Sequence, residues 1–255
     1  MKMLSIATPT VLTCVFAAMV PAPCSATPFA LNSQLSISGD VILGSTFLSF
    51  LCNQPGDPVC VSPPAGRGDF AASTATGSFA QYGGTFGLIN SINNAAQPLN
   101  TSFSLPNFIT FDLNNNVSLE LTFIPLGSDP ISTNCAGLAH CTPQNSLLIT
   151  PNNPQGVSAF NFDQNVSGTT ASFLVSGIAH SGTDTGVLGG VFTITFPGLT
   201  PQQALALALA GIQLTYSATL QVTGSSSSVP EPAPMLLTGV GLFALLVGRR
   251  KWSLN

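Results

Sequence analysis

The sequence predicts an all-β domain, an antiparallel β-sandwich or jelly roll with one short helix, followed by a C-terminal transmembrane helix. Three observations lead to this fold class. Segments that alternate apolar and polar residues recur along the chain, turn residues separate them, and one segment alone carries helix signals. The crossover helices that a parallel sheet requires are missing, and no repeat of fixed length indicates a solenoid.

The clearest strand lies at residues 117–124, where Leu119, Leu121 and Phe123 share one face and polar residues share the other. The triplet Asn114-Asn115-Asn116 before it suits a tight turn. The aromatic residues and glycine pairs of residues 79–92 predict a hairpin around Tyr82-Gly83-Gly84. The predicted strand segments are residues 34–38, 41–51, 79–92, 108–113, 117–124, 147–150, 157–162, 169–178, 187–196 and 212–222.

The helix signals begin at Thr200, which suits an N-cap. Pro201 follows at the first helical position, and Gln203 stands three residues after the cap, as in a capping box. Gly211 ends the segment. We expect this helix to pack against one end of the sheet.

Charged residues are scarce, at 5% of the chain. Between residues 27 and 228, Arg67 is the sole lysine or arginine, against eight acidic residues. Such a domain cannot neutralise a run of phosphates, so the sequence excludes nucleic-acid binding and docking on anionic lipid. The seventeen phenylalanines argue against disorder, because disordered chains are poor in aromatic residues. We expect a surface of hydroxyls and amides.

Four cysteines, Cys52, Cys60, Cys135 and Cys141, remain after the predicted signal peptide. Three pairings are open, and the local ones, Cys52–Cys60 and Cys135–Cys141, are favoured because each would close a short turn-rich segment. The proline-rich stretch 55–68 is expected to be an exposed loop held by the first pair. Neither pair has the spacing of a structural zinc knuckle, so the sequence predicts no metal site and no cofactor.

No motif predicts an active site. Asp184-Thr185-Gly186 matches the tripeptide of aspartic proteases, but it occurs once and is best explained as a surface turn. The segment 112–120 has oxygen ligands but fails the pattern of a calcium-binding EF-hand. His140 and His180 stand near no nucleophile motif, and Thr193-Ile194-Thr195 fits ordinary strand propensity.

Both ends of the chain look like targeting segments. Residues 1–26 have Lys2, an apolar core and small residues before a cleavage point, which predicts a secretory signal peptide. The ectodomain then covers residues 27–223, and a serine-rich linker covers 224–228. The apolar segment 233–248 is the predicted transmembrane helix, although its length of roughly 24 Å falls short of a bilayer core of about 30 Å.

The end of the chain, residues 229–255, combines three features in order. A proline-acid-proline motif precedes the apolar segment 233–248, and a basic cluster follows it. This arrangement resembles the PEP-CTERM sorting signal of Gram-negative bacteria, which exosortase-type membrane enzymes recognise. The resemblance implies that Pro230, Glu231 and Pro232 are the recognition motif and that Arg249, Arg250 and Lys251 are the membrane stop. It also implies an association with exopolysaccharide production.

These observations predict an exported cell-surface or extracellular-matrix protein, held at the inner membrane by its C-terminal helix before processing. We expect its β-domain to be non-enzymatic, with a structural or exopolysaccharide-associated role. Two alternatives stay open. One is a secreted, glycosidase-like hydrolase, in which acids such as Asp163 and Glu120 would meet in one pocket. The other is an adhesion protein that keeps its C-terminal anchor uncleaved.

Overall fold

The structure is a computed structural model that describes residues 29–44, 46–52, 66–113 and 116–226. The predicted signal peptide, the motif Pro230-Glu231-Pro232, the predicted transmembrane segment 233–248 and the stop Arg249-Arg250-Lys251 lie outside these residues. In the part of the chain that is described, no helix combines the length and the hydropathy that crossing a bilayer would take.

The described chain is mostly β-structure, with one α-helix and two 3₁₀ turns, at Gly77–Tyr82 and Ser146–Leu148. The elements are, in chain order, β1 (Gln34–Leu43), β2 (Phe47–Phe50), β3 (Arg67–Ala75), β4 (Phe86–Asn90), β5 (Ile92–Asn93), β6 (Leu105–Phe111), β7 (Val117–Phe123), β8 (Ile131–Ser132), β9 (His140–Pro143), β10 (Asn161–Asn165), β11 (Gly168–Ser181), β12 (Asp184–Pro197), α1 (Pro201–Leu209) and β13 (Gln213–Ser226).

Eight strands form a closed antiparallel barrel. Their order around the wall is β12, β13, β1, β3, β4, β6, β7 and β11, and β11 pairs again with β12. The predicted sandwich or jelly roll is therefore wrong, because a sandwich keeps two separate sheets and here one sheet returns to its own first strand. Side chains alternate between core and solvent in both architectures, so the sequence pattern does not distinguish them.

The barrel closes where the first and last strands of the domain meet. β1 pairs antiparallel with β13 from Gln34↔Gln221 to Ile42↔Gln213. We call this pairing the closure seam. It joins segments from opposite ends of the domain, and each strand then has a partner on its other side, β3 and β2 for β1 and β12 for β13. Both strands are therefore internal to the wall.

The wall bends where its strands lose regular pairing. The register between β11 and β7 shifts between Ser176 and Gly177, which marks a bulge or similar irregularity. A Cβ at Gly177 would collide with the backbone carbonyl oxygen of Glu120 on β7, so glycine permits the close approach there. Irregularities of this kind curve a strand and help a sheet to close.

Aromatic side chains fill the interior. Phe50 is fully buried although its strand, β2, is not one of the eight in the wall. Its ring centroid lies 5.0 Å from Tyr216 on β13, 6.0 Å from Phe192 on β12 and 6.3 Å from Phe108 on β6. Phe173 stacks on Phe192 at 5.0 Å. An eight-stranded barrel is just wide enough for side chains to fill, and here they do.

Some of the predicted elements are confirmed. The helix begins with the predicted capping box, in which Thr200 accepts from the Gln203 backbone and the Gln203 side chain accepts from the Thr200 backbone. Predicted strands 108–113, 117–124, 169–178, 187–196 and 212–222 correspond to β6, β7, β11, β12 and β13. The last of these runs on to Ser226, so part of the predicted linker 224–228 is paired strand.

Other predicted elements differ. The expected hairpin at residues 79–92 begins instead with the 3₁₀ turn Gly77–Tyr82, which places Phe79 and Tyr82 in the core. The expected strand at residues 147–150 overlaps the 3₁₀ turn Ser146–Leu148. β3 was not predicted, and it begins at Arg67, inside the expected loop 55–68, most of which lies outside the described residues.

Replacing Phe50, whose ring contacts three other aromatic rings, tests the packing of the core. Phe50→Ala removes the ring that contacts three wall strands, so we expect the free energy of unfolding to fall by about 3–5 kcal/mol. Chemical denaturation measures it. Phe86→Ala is the matched control, because Phe86 is 47% exposed and its loss should change the stability by about 1 kcal/mol or less. Equal losses in the two variants would contradict the filled interior.

The two tyrosines of the chain, Tyr82 and Tyr216, give a pH test. Burial raises the pKa of both phenols above its ordinary value. The unfolded chain loses these protons near pH 10 whereas the barrel retains them, so the free energy of unfolding should fall as pH rises above about 10. Phenolate absorbance should appear together with unfolding. Tyrosine ionisation in a chain that keeps its native circular dichroism would show that the rings are accessible.

Candidate functional site

The structure confirms one of the two favoured disulfides. Cys135 and Cys141 are bonded across a separation of six residues, with both side chains buried. Cys60, the expected partner of Cys52, lies outside the described residues. The confirmed bond joins the loop before β9 to Cys141, the second residue of β9.

The acids proposed for a hydrolase do not meet as that hypothesis requires. Glu120 on β7 contacts His180 on β11, with Oε2 and Nε2 3.1 Å apart, and its Oε1 accepts from the Ser104 hydroxyl at 2.7 Å. Asp163 on β10 instead contacts His140 on β9. Each of these acids therefore has a histidine partner of its own.

The contact between Ser104, Glu120 and His180 has the wrong order for nucleophilic catalysis. In a catalytic triad the imidazole lies between the hydroxyl and the carboxylate and takes the hydroxyl proton. Here the carboxylate of Glu120 lies in the middle and holds both partners. Ser104 donates its hydrogen bond to Glu120 and, in the described structure, has no imidazole to take its proton. These three residues are therefore better explained as a cross-strand contact between β7 and β11 than as an activated serine.

Asp184 is the first residue of β12 and pairs with Ser181 across the turn from β11, in which Gly182 has a positive φ of 59°. The interpretation of Asp184-Thr185-Gly186 as a surface turn is wrong, because all three residues belong to β12 and the turn itself is limited to Gly182 and Thr183. The Asp184 side chain is also buried, at 7% exposure, which a surface turn did not predict. A second acid of the protease type would have to face it, and the sequence holds one copy of the tripeptide.

A row of hydroxyls crosses the outside of the barrel at the closure seam. Thr193 on β12 pairs with Ser217 on β13, and Ser217 pairs with Ser38 on β1. The Thr193 and Ser217 hydroxyl oxygens are 2.8 Å apart. Two residues along the strands, Thr215 pairs with Asp40. These side chains point outward, because the residues between them on β13 point into the core.

The same side chains line an open groove of about 440 Å³, together with Thr195 and Tyr216. Asp40 is the one acidic residue that lines this groove. Its Oδ2 atom accepts a hydrogen bond from Gln213 Nε2 at 2.7 Å, which holds the carboxylate against the barrel wall. The Tyr216 ring lies beneath the groove, buried beside Gly39. The groove therefore has a rigid floor and offers hydroxyls as both donors and acceptors.

A second open groove, of about 540 Å³, continues along β12 and β13. It combines apolar side chains, including Leu174 and Val191, with the polar side chains of Thr219, Gln221 and Thr223. Leu174 is 53% exposed, and the floor beside it is open because Gly189 carries no side chain. We call the two grooves together the hydroxyl face. Along β13 it extends from Thr215 to Thr223, a distance of about 27 Å.

The hydroxyl face was not predicted as a site, although the sequence contains its signal. Thr193-Ile194-Thr195 was explained by strand propensity alone. Between Gln213 and Thr223 every second residue is Gln, Thr or Ser, and these are the outward positions of β13. What the sequence could not show is that β1 lies beside β13 and completes the rows.

Comparison of the chain with protein-family models, with curated proteins and with solved structures finds no match.

Proposed function

We propose that this chain is an exported cell-surface or matrix protein whose barrel is a non-enzymatic domain that binds extracellular polysaccharide through the hydroxyl face. The observation that carries the proposal is the pair of open grooves that follow one another along β12 and β13, the first lined by hydroxyls and the second partly apolar. The hydroxyl face extends about 27 Å along β13, a length that suits a polymer better than a small molecule.

The chemistry of the hydroxyl face matches that of a sugar chain. Sugar rings present hydroxyls around their edge and C–H groups on their faces. Serine and threonine hydroxyls donate and accept, as sugar hydroxyls do, and exposed apolar side chains such as Leu174 and Val191 can cover C–H groups. The single acid of the first groove, Asp40, adds a stronger acceptor.

A binding role is favoured over hydrolysis by the disposition of the acids. Glycoside hydrolysis requires two carboxyl groups on either side of the scissile bond. Of the side chains that line the two grooves, Asp40 alone is acidic. A separate recess of about 80 Å³, lined by apolar residues such as Phe47 and Phe160 and by polar residues such as Asn94 and Gln97, has no carboxylate in its lining.

The export half of the proposal rests on the sequence at the chain end. The order of Pro230-Glu231-Pro232, the apolar segment 233–248 and Arg249-Arg250-Lys251 resembles that of the PEP-CTERM sorting signal. Prolines disfavour regular hydrogen-bonded structure, and proteases act on segments that lack it. An exosortase-type membrane enzyme is the proposed partner, and the cell surface or the extracellular matrix is the proposed destination.

Sugar binding is tested with the exopolysaccharide of the producing cells in affinity electrophoresis. The double variant Thr215→Ala and Ser217→Ala removes two hydroxyls of the face. We expect the affinity to fall by about tenfold, since two neutral hydrogen bonds contribute about 1–3 kcal/mol together. The control is Thr133→Ala with Ser146→Ala, which removes the same two side-chain types at exposed positions off the barrel wall.

Two outcomes would contradict the binding proposal. One is a wild-type chain that migrates unchanged at every polysaccharide concentration. The other is an equal loss of affinity in the double variant and in its control, because the hydroxyl face would then have no special part in binding.

The sorting motif is tested separately in the producing cells. Replacing Pro230, Glu231 and Pro232 by alanine should stop processing, so that the protein keeps its C-terminal segment and stays with the membrane fraction. Intact mass and cell fractionation report the result. Ser227→Ala with Ser228→Ala is the control and should be processed normally. Wild-type mass and location in the triple variant would refute sorting through this motif and leave the sugar-binding proposal untouched.

A further inference from the structure

Three side chains converge on one point outside the barrel wall. Asp129 lies in the loop before β8, His140 opens β9 and Asp163 lies in β10. One potential ligand atom from each lies within 4.8 Å of the other two. The His140 Nδ1 and Asp163 Oδ1 atoms are 2.7 Å apart. No metal site was predicted here. That prediction depended on the spacing of cysteines along the chain, whereas Asp129, His140 and Asp163 are far apart in sequence.

The loop that carries Asp129 is held by a partly buried network of hydrogen bonds. The Asn161 Oδ1 atom accepts from the backbone N–H of Ser128 at 2.9 Å and from the Thr142 hydroxyl at 2.7 Å. The Asp129 backbone N–H donates to Thr142 Oγ1 at 3.0 Å. A Cβ at Gly127 would lie 2.6 Å from Asn161 Oδ1, so a larger residue there would displace the side chain that holds the loop.

His140 and Asp163 are held by the strands on which they lie. They are direct partners in the antiparallel pairing of β9 with β10, and their neighbours Cys141 and Phe162 form the next pair. Cys141 and Phe162 are both buried, which leaves His140 and Asp163 on the outer side. All three side chains therefore project from backbone that is already fixed, as a preorganised binding site requires.

The cluster places two carboxylates beside one imidazole. The Asp129 Oδ2 atom is buried and has no hydrogen-bond partner in the described structure. A buried carboxylate oxygen beside a second carboxylate is unfavourable unless a cation or a proton lies between them.

We propose that Asp129, His140 and Asp163 bind one Zn²⁺ ion. Imidazole and carboxylate are ordinary zinc ligands, whereas Ca²⁺ and Mg²⁺ take oxygen ligands. Tetrahedral ligands at zinc distances lie about 3.3 Å apart, so His140 and Asp163 must separate slightly. Their side chains are 62% and 43% exposed and are free to rotate by this amount. Water completes the coordination.

The bound ion acts as a cross-link. It joins the loop at Asp129 to β9 and β10, next to the Cys135–Cys141 disulfide. A ligand that binds the folded chain and not the unfolded chain raises its melting temperature. The inference is independent of the hydroxyl face, since none of its three residues lines either groove.

The test uses the full chain after treatment with a chelator. Calorimetric titration with Zn²⁺ should show one ion for each chain and a higher melting temperature. Asp129→Asn and His140→Ala should each weaken binding at least tenfold. His180→Ala is the matched control, because it removes the other histidine of the chain and leaves the cluster complete.

A second measurement needs no variant that could misfold. The wild-type chain has two histidines, so the imidazole signals in NMR spectra are few and His180→Ala assigns them. Zn²⁺ should shift the His140 ring signals and leave those of His180 in place. Zn²⁺ binding that is unchanged in Asp129→Asn, a shift of the His180 signals alone, or Ca²⁺ binding in preference to Zn²⁺ would each overturn the assignment.

Discussion

The pairing of β1 with β13 is the constraint on which the rest of the structure depends. It brings together the two ends of the domain and turns a single sheet into a barrel with Gln34 opposite Gln221 and Ile42 opposite Gln213. An open sheet would leave two rows of unpaired backbone groups along its edges. Closure removes them without charged side chains, which this chain almost lacks. The interior that results is narrow, and rings such as Phe50 and Phe192 fill it.

A filled interior leaves the outside of the barrel for function, and the closure seam organises that outside. Ser38 and Asp40 reach the hydroxyl face because β1 lies beside β13, where they stand opposite Ser217 and Thr215. Chain segments more than 170 residues apart thus form one groove, as the hydrogen bond between Asp40 and Gln213 illustrates with a separation of 173 residues. A low charge suits a neutral, hydroxyl-rich partner, since few ions have to lose their hydration when it binds.

Local patterns predicted part of the local structure. The alternation in β7 and β12, the cap at Thr200 and the short loop closed by Cys135 and Cys141 each involve residues close in sequence. Sandwich and barrel differ only in long-range pairing, which alternation does not report. The turn Gly77–Tyr82 was predicted as strand because it contains aromatic residues. Phe79 and Tyr82 are buried, but they are three residues apart and so do not follow the two-residue period of a strand. The cluster of Asp129, His140 and Asp163 was beyond sequence reasoning, since the strand pairing of β9 with β10 creates it.

Hydrogen exchange of the backbone amides along the closure seam tests the central claim most directly. If β1 and β13 close the barrel, the amides paired between Gln34–Ile42 and Gln213–Gln221 should exchange as slowly as those between β11 and β12, because all four strands then open only with the whole wall. Rapid exchange along one side of β1 or β13, with β11 and β12 still protected, would mean that the sheet has free edges. The barrel, and the grooves that depend on its seam, would then not exist in solution.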